Sequence, residues 1–535
     1  MASLTNADTF NVTNLMDSGG GSLRDAITQA EATPGIDQIN FLVGGTIDVA
    51  SIFPTVTTEF SINSNGFNVT LDGTTASNRA FTIDSTGNLG LSSLTFQNFN
   101  SGASSGGAIN VNGGIFSASG STFTSNGTDR TGGAIRIGSN GTATIQNSTF
   151  TLNDALQGGA ISMSTGTLNL FDSQITNNTA SLRLFGAAGL AGGISAFGAP
   201  QITINNSDIS NNIGVRSNGG IFIQGGTLDI DNSSINNNES QGAGEDGGGL
   251  QIAAGAQVTI TDSEVNENTA ASGSRGGGIH AQNAGTSVTL ERTTVDGNTA
   301  DGGGGINVAE ADLTVIQSTI SNNESAVGGG GGINAASGDE NANRNDVTIE
   351  NSTISGNESA TGGGGLNVFA GTSGTISSST IADNDSGSAN GGGLRYSEEF
   401  DSTFEVQNTI FNDNLANGIT NTVSGPVDSG GYNIFDDDGL SINGALPSDQ
   451  FNTDAELLAL ADNGGPTFTH ALDADSDAID AGFTNLDEDQ RGLTRPAGSQ
   501  PDIGSFEFGA VPEPSATPLL IGLAALLLVA RRVRR

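Results

Sequence analysis

Cysteine, tryptophan and lysine are all absent from the 535 residues, and each absence removes a class of explanation. Without cysteine there is no disulfide framework and no thiolate chemistry. Aromatic residues make up only 5%, thin material for one large round core, whereas stacked short strands ask for Val, Ile, Leu and tight turns. Without lysine, no glycine run is a phosphate loop, because no Gly-Lys-Ser/Thr follows it. The basic residues are 16 arginines against 57 acidic residues, a formal net charge of −41. A field of that sign repels nucleic acid and anionic lipid, and salt is needed to screen its self-repulsion.

What is abundant is glycine, 81 residues, and it is not scattered. Two words alternate from about residue 105 to 415. One is a glycine run followed by a small or aliphatic pair, as in "GGAI" from Gly106, Gly132 and Gly158 and "GGGL" from Gly391. The other opens on Ser/Thr, carries an apolar residue and closes on asparagine: "STFTSN" at Asn126, "STFTLN" at Asn153, "SQITNN" at Asn178 and "SDISNN" at Asn212. Later copies close at Asn238, Asn268, Asn298, Asn323, Asn357, Asn384 and Asn414. A period of roughly 25–34 residues is that of a solenoid. Alternation such as "VTITDSEV" from Val258 makes half-buried strands, and nothing between the words has helical length. The pattern predicts an all-β parallel β-helix, with Phe123, Phe150, Ile320 and Ile354 stacked inside. Glycine pairs supply φ > 0 turns. Each closing asparagine tolerates a left-handed turn and bonds the backbone of neighbouring coils.

"GGAI" with "FTSN" and "FTLN" resembles the repeats of chlamydial polymorphic membrane proteins, surface adhesins built on β-helices. The full wording fits the first three copies. Near the N-terminus, "FNVTNLMDSGGGSLRDAI" is similar to the CSLREA-type motif ahead of bacterial right-handed β-helix repeats, without its cysteine. Ser22 with Asp25 is a capping-box pattern; Leu23, Ala26, Ile27 and Ala30 share a face; Pro34-Gly35 stops the helix. That helix is expected to cover the open edge of the first coil. Residues 45–100 read as irregular opening coils. Past residue 415, "LLALADNGGPTFTHALDADSDAIDAG", "DQRGLTRP" and "PDIGSFEF" resemble the choice-of-anchor Q family, which closes bacterial β-helices ahead of interchangeable surface anchors.

The chain ends on Pro512, Glu513 and Pro514, an apolar run over 519–530, and Arg531, Arg532, Arg534 and Arg535. The run is a marginal membrane span, with its arginines on the cytoplasmic side. The layout resembles a PEP-CTERM sorting signal, which implies an exosortase-type processing enzyme as partner and delivery to the envelope or extracellular matrix of a Gram-negative-type bacterium. The first 21 residues contain neither a basic n-region nor an apolar stretch. The expectation is that a secretory signal lies upstream of Met1.

The domains expected are therefore an N-terminal cap over 1–44, β-helix repeats over 45–415, a C-terminal cap over 416–509 and the sorting signal with its hydrophobic helix over 510–535. No catalytic residue is assigned. The two histidines, His280 and His470, fall on a regular coil and in the terminal family's wording, and both read as structural or solvent-facing. Arg136, Arg292 and Arg395 lie in the solenoid without a recurring Asp-Asp pair beside them. No cofactor is expected. The Ca²⁺ candidates are Asp436, Asp437 and Asp438, and less so Asp473, Asp475 and Asp477, which lack the Gly and Glu an EF-hand loop requires. The expected role is a surface or matrix structural protein, adhesive in character, contacting polysaccharide or a partner surface. The alternative is an extracellular polysaccharide lyase or hydrolase with a cleft on the β-helix flank.

Overall fold

The computed structural model describes residues 7–75, 78–138, 140–181, 190–242, 244, 247–337, 345–369, 371–398 and 402–510. One representative coil shows how the repeat folds. Ile135–Gly138 is followed by Thr142–Gln146, Thr149–Thr151 and Asp154–Ala155, four short strands with a corner after each. The coils of the repeat follow this order, so their strands stack on their counterparts as four ladders, of which the fourth begins at Asp154–Ala155 and the first at Phe81–Ile83. The first and second ladders form one 28-stranded sheet. They fuse where Ile279–Glu291 and Ile306–Ile316 run through both. The third ladder has 16 strands and the fourth, built from two-residue strands, has 11.

Alternation decides what is inside. In Thr149–Thr151 the middle residue, Phe150, points inward and is wholly buried. It stacks on Phe123 with ring centroids 4.7 Å apart, and Phe123 on Phe96 at 5.1 Å. The same column continues in register as Ile175, Ile209 and Ile235, and closes on Phe411, Phe435 and Phe451. One continuous apolar core runs from Val12 to Phe435.

The N-terminal helix forms over Leu23–Ala32, with Ser22 Oγ accepting the Asp25 N–H at 3.2 Å and Asp25 Oδ2 accepting from Gly21 N at 2.9 Å. Leu23, Ala26, Ile27 and Ala30 are buried in the common core. The opening coils are more regular than their sequence reads. Gly45–Asp48 already pairs in register with Val69–Asp72, and Glu59–Asn63 with Ile36–Phe41.

At the other end, the ladders outlast the repeat words. Strands continue to Gln450–Phe451, with coil geometry carried by Ile434, Phe435 and Phe451 rather than by the glycine–asparagine spelling. Residues 452–510 then fold back as a strap along the side of the rod, where the sequence led to a cover over its end. Thr319 Oγ1 donates to Phe468 O at 2.6 Å, Thr353 Oγ1 to Gln490 Oε1 at 2.6 Å, and Ser505 N to Thr380 Oγ1 at 3.2 Å. The strap follows the third ladder because that ladder's outward threonines offer a hydroxyl on each successive coil. A small second core of Ile410, Ile434, Ala455, Leu472, Ala478, Ile503 and Phe506 seals the contact.

Candidate functional site

On the outer face of the first ladder the coils line up a largely polar row, interrupted by Phe222. Arg136 pairs in register with Asn110 below and Ser162 above. Further along, Gln251, His280, Asn307, Asn334, Asn367 and Arg395 follow one another. These side chains point outward, yet His280 is 0% exposed and Asn307 1%. The glycine segments leading into each strand cover them. A Cβ on Gly303 would come within 2.9 Å of Asn307 Cβ, and one on Gly329 within 3.1 Å of Asn334 Cγ. Close approach, as much as φ > 0, fixes glycine there.

Within the row, hydrogen bonds link consecutive coils. Arg395 Nη1 donates to Asn367 Oδ1 at 3.2 Å, Asn367 Nδ2 to Asn334 Oδ1 at 2.8 Å, and Asn334 Nδ2 to Asn307 Oδ1 at 2.7 Å. Asn307 Nδ2 meets His280 Nδ1 at 2.9 Å. Burial pushes His280 down to about 4, and the Arg275 charge adds to it. The imidazole is therefore neutral at pH 7.

The asparagines of the second repeat word form another column, buried between the third and fourth ladders from Asn126 to Asn414. Between its two ends, each side chain both donates twice and accepts twice. Asn153 Nδ2 donates to Phe123 O at 3.0 Å and to Asn178 Oδ1 at 2.9 Å, while Asn153 Oδ1 accepts from both N and Nδ2 of Asn126 at 3.0 Å. The left-handed residue at this corner is the one before: Ser125, Leu152, Asn177 and Asn211 have φ of 54°, 57°, 58° and 56°. The asparagine itself is free of that strain and turns inward. The serine opening the same word, whose role the sequence leaves open, makes a parallel column. Ser148 N donates to Ser173 Oγ at 3.1 Å, and Ser173 N to Ser207 Oγ at 3.1 Å.

Residues 107–300 and 248–438 match the family described as the right handed beta helix region. The chain belongs to this right-handed β-helix family. Among solved structures it is similar to the periplasmic alginate epimerase AlgG, at 13% identity over 66% of this chain and 79% of that one, with a TM-score of 0.41. It is also similar to the pectate lyase Pel9A, at 14% identity over 94% and 97%, with a TM-score of 0.30. No curated protein matches it in sequence.

The remaining chemistry-bearing residues of this β-helix serve its packing. His470 belongs to the strap and is buried against the rod; its Nδ1 lies 2.8 Å from Leu458 O and its Nε2 2.8 Å from Ser355 Oγ. The arrangement has a serine beside an imidazole, but Ser355 is 2% exposed and Asp383 stands 3.9 Å from Nε2 rather than beside Nδ1. No substrate reaches that hydroxyl, and the acid is on the wrong nitrogen for a triad. The words "DQRGLTRP" and "PDIGSFEF" assemble a buried ionic cluster: Arg491 Nη2 on Asp489 Oδ2 at 2.6 Å, and Arg495 Nε 3.0 Å from Glu507 Oε2. Burial pushes Asp502, within that cluster, up to about 6, with the Glu507 charge adding to it. Arg292 sits half-buried on a corner and pairs with Asp262 and Glu291.

The calcium candidates hold backbone instead. Asp436 accepts from Thr422 Oγ1 at 2.5 Å and Asp413 N at 2.6 Å, Asp437 from Thr422 N at 2.8 Å and Gly439 N at 3.0 Å, and Asp438 from Leu440 N at 3.3 Å. Their oxygens pin the irregular last coil. Asp473 likewise accepts from Asp475 N at 3.2 Å in a turn, and Asp477 lends its carbonyl to Gln450 at 3.3 Å. No group of three or more metal-ligating side chains forms among the described residues. Among those residues, too, no helix is long and apolar enough to cross a membrane. The sorting-signal residues, Pro512, Glu513, Pro514, Arg531, Arg532, Arg534 and Arg535, lie outside the described residues.

Proposed function

We propose that this β-helix is an exported structural or adhesive protein of the cell envelope or extracellular matrix, holding extended polysaccharide or a partner surface along its flank. The observation that carries the reading is the outer face of the second ladder. There Thr259, Thr289, Thr314, Thr348 and Thr375 stand in register, one hydroxyl per coil. A straight row of hydroxyls at about 4.8 Å spacing offers repeated hydrogen-bond partners to a polymer and no preference for its ends. The C-terminal wording supports delivery by an exosortase-type enzyme, with membrane attachment only before processing.

Retention of the purified chain on a panel of immobilised acidic and neutral polysaccharides tests the first part. Binding without release of new ends is the expected result. Appearance of unsaturated or reducing ends would make the chain a lyase or hydrolase instead. Mass spectrometry of the mature C-terminus tests the second: a cleavage near Pro512–Pro514 is expected, and a mature protein that keeps Arg535 overturns sorting.

A further inference from the structure

The corner between the second and third ladders is turned by a left-handed residue, and its type changes near the C-terminal end of the rod. Asn351, Ser378 and Asn408 hold the corner at φ of 52°, 48° and 50°. Tyr432 holds the next one at 60°, the only aromatic residue in that region among the described residues. Short polar side chains tolerate this conformation, whereas a bulky one is strained in it. The strand leading into Tyr432 is irregular too. Val406 pairs with Ser429 but Gln407 with Gly431, so Gly430 is an extra residue. A Cβ on Gly430 would come within 2.8 Å of Glu405 Oε1 and 2.9 Å of Gln407 Cβ, and the bulge therefore requires glycine. Bulges re-aim nearby side chains, and this one is followed by a tyrosine that meets the strap. The Tyr432 ring stacks on Phe483, with centroids 5.6 Å apart and planes at 27°. Phe483 N donates to Asn408 Oδ1 at 2.8 Å and Ser378 Oγ to Thr484 Oγ1 at 3.0 Å, which fixes the strap beside the corner.

This pair does not close a core. Phe483 is 52% exposed and Tyr432 half-buried. The Tyr432 N–H donates to Ser448 Oγ at 3.1 Å, but its hydroxyl has no protein partner among the described residues. Backbone strain concentrates where it serves a site, and an asparagine turns the same corner elsewhere without it. Tyr432 directly follows Val427–Gly431, which continues the second ladder. On the outer face of that ladder Thr314, Thr348 and Thr375 are followed in register by Glu405 and Asp428, both exposed. A row of hydroxyls leading to an aromatic face suits a ligand with polar edges and an apolar C–H face, as a sugar ring has. The two carboxylates repel an anionic sugar or a nucleotide phosphate. We propose that Tyr432 and Phe483 form a stacking subsite for a neutral saccharide unit at the C-terminal end of the threonine row. The subsite rests on the polysaccharide-binding reading above and names the class of polymer that the row takes.

Tyrosine emission from the full chain reads the site, because tryptophan is absent and the other tyrosine, Tyr396, is 3% exposed. The probes are cellohexaose, whose ring faces carry only C–H, and an oligogalacturonate of equal length. Cellohexaose is expected to bind with a change in tyrosine emission, and the oligogalacturonate roughly tenfold more weakly. In calorimetry, Phe483→Ala and Tyr432→Asn should each weaken cellohexaose binding roughly tenfold, while Tyr432→Phe, which keeps the ring, changes it little. Thr348→Val should weaken it independently. Tyr432→Asn relieves the strained corner and should melt at or above the parent temperature, so its lost binding is not lost fold. Equal binding by Phe483→Ala, Tyr432→Asn and the parent overturns the subsite; a weakened Thr348→Val then leaves the threonine row standing. Binding that needs both aromatics and is indifferent to Thr348 upholds the subsite and sinks the row. An oligogalacturonate bound as tightly as cellohexaose overturns the neutral class. Failure of the parent to bind either probe overturns the subsite and the row together.

Discussion

Asn307 Nδ2 lies 2.9 Å from His280 Nδ1, and the bond runs in one direction only. Arg395 has donors and no acceptor, so it fixes Asn367 as its acceptor, which turns the Asn367 amide toward Asn334, and so on down the row. The last amide must donate to His280. Nδ1 is thus the acceptor, and the proton sits on Nε2. An arginine four coils away in the row sets the tautomer of a histidine.

That histidine makes stability depend on pH. Its folded value near 4 lies below the ordinary 6.5, so the unfolded chain binds the extra proton between those limits. Stability present above about pH 6.5 is lost as pH falls through 4, by an amount of order 3 kcal/mol. Denaturant midpoints across pH 4–7 should fall accordingly. In His280→Asn, which extends the row of amides, that part of the slope should vanish. An unchanged slope would refute the buried neutral imidazole.

The asparagine column predicts a local cost. In Asn268→Ala the N and Nδ2 of Asn238 lose their acceptor and Ile235 O its donor. Leaving buried groups unpaired costs about 1–3 kcal/mol each where water cannot enter, and a total of roughly 3–4 kcal/mol is expected. Because coils touch only their neighbours, hydrogen exchange should rise in the two flanking coils first. Uniform exchange along the whole rod would count against this.

Glycine 133 is predicted to tolerate nothing larger. A Cβ there would stand 2.0 Å from Gly159 O, a backbone atom of the next coil. Gly133→Ala should destabilise by several kcal/mol, as severe overpacking does. Gly20→Ala, with nothing within 4 Å, should melt like the parent. The comparison is a pair of thermal scans.

The strap should come away before the rod. Gln490 Nε2 donates to Ser318 O at 3.2 Å and Thr319 Oγ1 at 3.0 Å, and its Oε1 accepts from Thr353 at 2.6 Å. Gln490→Ala is expected to raise cleavage within residues 452–510 several-fold in limited proteolysis while the coils stay resistant. Equal cleavage rates in variant and parent would show that this glutamine holds nothing down.

Much of this architecture is written in short words. The apolar centre of "STFTSN" and its asparagine placed the Phe123–Phe150 stack and the buried amide column, because both recur at a fixed offset in every coil. The terminal words marked a distinct segment but not its path. Whether Gln490 and Ser505 meet the end of the rod or its side depends on residues such as Thr319 and Thr380, some 120–170 positions away in sequence. The sequence showed Arg136, His280 and Arg395 as isolated residues. Their common row appears only when the register counts coils of unequal length, 25 to 34 residues along the asparagine column. The left-handed corner residue was misplaced by one, since asparagine suits either position and only its inward amide distinguishes them.

The path of the strap has a mechanical result. Its last stretch brings Glu507 against Arg491, beside the coils of Ser318 and Thr353, and Ala510 follows directly. Were the chain beyond Ala510 held fast, the pull would fall on the rod broadside, several coils short of its last strands. A rod held in that way at its flank, rather than by its tip, would lie along the surface that held it.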